Sequence, residues 1–61
     1  MNYAYAAGVI DWEWSDGASA DGFNAFCKTE WRGGFETRAQ RAEALRNYVA
    51  SVGQDPANYS L

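Results

Sequence analysis

Histidine is absent from this chain, and cysteine (Cys27), proline (Pro56) and methionine each occur once. Without histidine the usual Cys/His zinc sets cannot be assembled, and a lone cysteine closes no intrachain disulfide. Long apolar runs are missing too. The longest, Tyr3 to Ile10, falls far short of the ~20 residues that span a bilayer, so no membrane partner is expected. The opening MNYAYAAGVIDW has no basic start and meets Asp11 before an apolar stretch can build, unlike a secretory signal. A cytoplasmic setting is the expectation. The single thiol suits a reducing compartment, or a bridge between two copies of the chain.

Positive charge is scarce: five Lys plus Arg stand against eight Asp plus Glu, for a net charge of −3. The deficit is local. Residues 1–30 carry five acids and only Lys28, net −4, while residues 31–61 carry four Arg and three acids, net +1. An acidic face repels phosphate backbones and attracts basic surfaces, so nucleic acid is disfavoured as a partner and a protein with a locally basic surface is favoured. The same charge also serves plain solubility.

Aromatic side chains are abundant: three Trp, four Tyr and three Phe among 61 residues. A chain this short is read as one domain, residues 1–61, whose single core supplies only roughly 3–5 kcal/mol, and large rings extend what so small a core can bury. Aromatic surface left uncovered would favour self-association.

The plainest element lies toward the C-terminus, where Ala42, Leu45, Val49 and Val52 recur at helical spacing with Ala39 and Tyr48 beside them. A helix over 38–52 follows. Thr37 is its N-cap, Gln40 completes a capping box and Gly53 ends it. Asp55-Pro56 reads as the start of a turn or of a short helical cap, after which Tyr59 and Leu61 are expected to fold back on the core. Upstream, Ile10, Trp12 and Trp14 alternate with Val9, Asp11, Glu13 and Ser15, the period of a strand. The run DGASADG (16–22) reads as a loop. Residues 23–28 read as a second strand, with Phe23, Ala25 and Cys27 on one face and Asn24, Phe26 and Lys28 on the other. Residues 31–35 read as a third, with Trp31 and Phe35 on one side. The predicted fold is therefore α+β, a small three-stranded antiparallel sheet packed by one long C-terminal helix. The rival is a three-helix bundle, because Tyr3, Ala6, Ala7, Ile10 and Trp14, and again Phe23, Phe26, Cys27 and Glu30, also fit helical spacing. Residues 2–8 fit a strand, an arm or a helical turn.

Several residues invite chemical readings. Asp11 and Glu13 would share a strand face, as paired hydrolytic carboxylates do, yet general acid work needs a desolvated carboxyl and a cleft; a solvated face is the simpler account. Asp16, Ser19 and Asp21 put oxygen ligands in one loop but fit no calcium template. Gly33-Gly34 before a helix hints at anion binding without a Walker or dinucleotide pattern, and a tight turn explains both glycines. Cys27 lacks a base and reads as a buried thiol. The layout of residues 33–49, G-F-x-T-R before an Ala-rich helix, resembles that of several sheet-reading DNA-binding domains and of many unrelated α+β modules. Such readers carry basic residues where this chain would present Asp11, Glu13 and Asn24.

The residues singled out for binding are Asp11, Trp12, Glu13, Trp14, Glu30 and Trp31. Tryptophans on the wet face would anchor an interface and the carboxylates would rim it, with Tyr3, Tyr5 and Tyr59 extending it. The expectation is a small, acidic, non-enzymatic module without cofactor or metal, acting as inhibitor or modulator of a larger, locally basic protein in a host or phage complex. The alternative is a nucleic-acid-associated or dimerisation module in which a homodimer gathers Arg32, Arg38, Arg41 and Arg46.

Overall fold

The computed structural model describes residues 2–15 and 17–59. Its elements are α1 (Tyr3–Ala6), α2 (Ala20–Thr29) and α3 (Arg38–Ser51), followed by a 3-10 turn at Pro56–Asn58. No strand occurs among the described residues, so the expected α+β arrangement with its three-stranded sheet is wrong and the protein is helical. None of these helices is long and apolar enough to cross a membrane.

Local chemistry accounts for the limits of each helix. Asn2 caps α1, its side chain accepting from Tyr5 N–H at 3.0 Å. The helix stops after four residues because Gly8 takes a left-handed conformation (φ +75°), with Gly8 N–H bonded to Tyr5 O and Val9 N–H to Ala4 O. This paired closure is a Schellman motif, and it diverts the chain before Ile10 and Trp14 can extend the helix. The same device ends α3: Gly53 (φ +81°) donates to Ala50 O and Gln54 N–H donates to Val49 O. At the start of α3, Thr37 Oγ1 accepts from Gln40 N–H at 3.1 Å and Gln40 Oε1 accepts from Thr37 N–H at 2.9 Å, the expected capping box.

The segment read as a second strand is the helix α2. Ser19 caps it, its hydroxyl accepting from Gly22 N–H at 2.9 Å, so the helix begins inside the stretch read as a loop. Asp21 lies in its first turn and Lys28 in its last, each matched to the helix dipole. Phe23 and Cys27, four apart, share the buried face; Ala25, expected beside them, is exposed, and Phe26 is half-buried. Helical spacing was present in these residues, and the β preference of the phenylalanines was a weaker signal than the cap.

Residues 31–35 form a loop and not a third strand. The Trp31 indole folds over Gly33, where a Cβ would overlap the ring, and its Nε1–H donates to Gly34 O at 3.0 Å.

The core is Ala4, Val9, Phe23, Cys27, Ala44, Leu45, Tyr48 and Val49. α2 packs against both α1 and α3. The inward stripe of α3 is rotated from the expected one: Ala44 and Tyr48 are buried, Ala42 and Val52 are only half-buried, and Ala39 is exposed. Tyr48 accounts for the rotation. Its ring meets Phe23 and Phe26, both with centroids 5.7 Å away, while its hydroxyl accepts from Ser19 N–H at 3.0 Å. Gly22 permits this approach, because a Cβ there would overlap the Tyr48 hydroxyl. Asn24 ties α1 to α2, its Oδ1 accepting from Ala4 N–H at 2.7 Å.

Candidate interaction surface

The segment 9–15 carries the front edge of the molecule. Val9 is fully buried and Ile10 is 43% exposed, the reverse of the strand reading, because Trp12 N–H bonds back to Val9 O and closes a turn there. From Trp12 onward the alternation holds in an extended chain without a ladder. Trp12 and Trp14 are half-buried, and Asp11, Glu13 and Ser15 are exposed.

Tyr59 completes this edge. The 3-10 turn is set by Asp55, whose Oδ1 accepts from Ala57 N–H at 2.9 Å, and by Pro56 at its first position. It returns the chain so that Tyr59 stacks on Trp12, with centroids 5.5 Å apart and planes 12° from parallel. Trp14 closes the triad at 5.8 Å from Trp12 and 5.9 Å from Tyr59. The Tyr59 hydroxyl accepts from Ser15 N–H at 3.0 Å and donates to Gln54 Oε1 at 2.7 Å, which fixes the ring. Trp14 anchors the triad to the core through Tyr48 and Phe23, at 6.0 and 6.4 Å. Its Nε1–H is buried without a hydrogen-bond partner among the described residues.

Trp12, Glu13, Asn58 and Tyr59 line an open depression of about 340 Å³. Asp11 and Glu13 stand exposed along this edge. Among the described residues the one ion pair is Arg46–Glu43 at 2.8 Å, on the surface of α3, so neither front carboxylate has an ion-pair partner among them.

Of the six residues singled out from sequence, four are consecutive on this edge: Asp11, Trp12, Glu13 and Trp14. Glu30 is the exposed C-cap of α2, and Trp31 is half-buried in its own loop. No hydrogen bond, ion pair or ring contact among the described residues joins either to the front segment. Tyr5 is 74% exposed, whereas Tyr3 packs on Phe35 at 5.4 Å. Asn58 was not singled out, although a Pro-initiated turn so near Tyr59 was the available signal. Leu61, expected on the core, lies outside the described residues.

The remaining chemical readings find little purchase. Asp11 and Glu13 are solvated and lack the desolvated setting that general acid work draws on. Ser19 spends its hydroxyl on the cap of α2; Asp16 lies outside the described residues, and no metal-holding cluster of acids or cysteine occurs among those described. The α3 N-terminus behind Gly33-Gly34 has its Gln40 donor filled by Thr37. Burial pushes the Cys27 thiol up to about 11, so it stays protonated and unreactive at neutral pH. Arg41 donates to Phe35 O at 3.2 Å, and Arg46 pairs with Glu43 on the exposed surface of α3. With no strand among the described residues, the likeness to sheet-reading DNA-binding domains has no structural counterpart there. Comparison with protein-family models, with curated proteins and with solved structures finds no match.

Proposed function

We propose that this chain is a non-enzymatic protein-interaction module that binds a larger protein through its acidic, aromatic front edge and acts by occupying a basic surface, as an inhibitor or modulator does. One observation carries the reading: Trp12 sits half-exposed in a triad held by the core, beside two carboxylates with no ion-pair partner among the described residues. A ring already locked in place loses little freedom on binding, and its flat apolar area is the kind of anchor that dominates interface energetics. The carboxylates add steering toward positive charge and discriminate against acidic partners.

The test is affinity capture with the intact chain beside an Asp11→Asn/Glu13→Gln double variant, each with and without nuclease. One stoichiometric protein partner, retained after nuclease and lost with the double variant, is the expected result. Nuclease-sensitive material, released with a steep dependence on salt, would replace this reading with nucleic-acid association through the arginines.

A further inference from the structure

The depression beside the stacked rings of Trp12 and Tyr59 has a composition that specifies more than a basic surface. Two stacked rings, one carboxylate (Glu13) with no ion-pair partner among the described residues, and one amide (Asn58) line about 340 Å³ of open volume. The rings attract a cation through their quadrupoles, the carboxylate accepts two parallel N–H bonds, and the amide oxygen accepts one more. We propose that this depression seats the guanidinium of an arginine side chain presented by the partner protein. The proposal rests on the protein-binding reading above and assigns the chemistry of its central contact.

Arginine fits better than the other biological cations. Its planar, weakly hydrated group can lie on an indole while its N–H fork meets Glu13, whereas a lysine ammonium is a strongly hydrated point charge. A quaternary ammonium is favoured by a cage of rings, and here only two of the four lining residues are aromatic. Charge complementarity supports the same occupant: residues 1–30 carry net −4, and no cation of the chain pairs with Glu13 among the described residues.

The experiment uses the full chain, isotopically labelled, with three blocked tripeptides that carry arginine, lysine or citrulline between glycines. The arginine peptide is expected to shift the Trp12 indole N–H and the Asn58 side-chain amide in a saturable way. Glu13→Gln, a surface change that leaves the thermal melt in place, should weaken that binding about three- to fivefold, the scale of one exposed charged contact. The citrulline peptide, isosteric but neutral, should bind at least as weakly as the arginine peptide binds the variant. Equal binding of the arginine and citrulline peptides, or equal binding by the variant, overturns the proposal. So does tighter binding of the lysine peptide. If the arginine peptide leaves Trp12 and Asn58 unmoved while capture of the protein partner still depends on Asp11 and Glu13, the arginine seat is wrong and the broader reading survives. If both fail, both fall.

Discussion

α3 and the segment 9–15 lie on the same core and are held in opposite ways. α3 closes its own backbone bonds, begins with a reciprocal side-chain cap and ends at a glycine, so its limits are encoded within its own residues. The segment 9–15 makes one short turn, and otherwise takes its shape from outside: from Tyr59 Oη on Ser15 N–H, and from Tyr48 and Phe23 against Trp14. One region is specified locally and the other by contacts as distant in sequence as Ser15 with Tyr59, 44 positions apart, and Trp12 with Tyr59. The difference matters for function, because the externally held segment is the one that carries the proposed binding edge.

Removing the support common to both should have the largest effect. Phe23→Ala deletes a fully buried ring that touches Trp14, Tyr48 and Phe35, and should cost about 3–5 kcal/mol, comparable with the whole stability of so small a domain. Circular dichroism should show helix and aromatic signals lost together. Retained helicity would make α3 autonomous, against the expectation that a helix of its length is marginal alone.

Gly22→Ala tests the contact between α3 and the start of α2. In an exposed helix interior this change stabilises; here the methyl meets the Tyr48 hydroxyl and should destabilise by about 1–3 kcal/mol, read from the denaturant midpoint. A gain in stability would mean that Tyr48 moves freely and does not hold Ser19.

Alkaline pH probes the core from another side. The folded Cys27 thiol titrates near 11, against an ordinary value of 9.0, so the unfolded chain loses that proton first. Stability should therefore be unaffected by this group at neutral pH and fall as pH rises from about 9 to about 11. Cys27→Val should flatten that part of the pH profile, and an unchanged slope would assign it to other groups.

A matched pair then separates the regions. Thr37→Ala and Tyr59→Phe should each cost about 1 kcal/mol, the first through a lost N-cap, the second through lost hydrogen bonds. Amide exchange should speed up in the first turn of α3 in one variant and at Ser15 in the other. Cross-over between the two patterns would break the distinction. The smallest effect is expected at Trp14→Phe. Loss of packing area is offset by removal of a buried, unpaired N–H, leaving a net change below about 1 kcal/mol in the melt.

How much could be read beforehand follows the same division. The capping box at Thr37 and Gln40, the stop at Gly53 and the turn at Asp55-Pro56 are short-range chemistry and were legible. Ser19 and Gly8 carried equally local signals, and the period-two pattern of VIDWEWS masked both. From Trp12 onward that pattern holds: Trp12 and Trp14 are half-buried, and Glu13 and Ser15 are exposed. Alternation reports which side chains are buried in an extended chain; it does not report a neighbouring strand. With residues 23–28 wound into a helix on their own i to i−4 bonds, no ladder partner remained. Of the candidate site, the acidic, tryptophan-bearing edge was visible in advance, and Asn58 and the stacking of Tyr59 on Trp12 were not.

What the sequence alone determines here is where helices start and stop, which half is acidic and which rings need cover. Each depends on atoms within a few residues of one another. Tertiary structure decided that α2 approaches α3 closely enough for Tyr48 to reach Ser19, that the stripe of α3 turns toward Ala44, and that a residue near the C-terminus shapes the front depression. Those outcomes depend on ring volume and on hydrogen bonds between distant segments, and such terms acquire values only once the helices are packed.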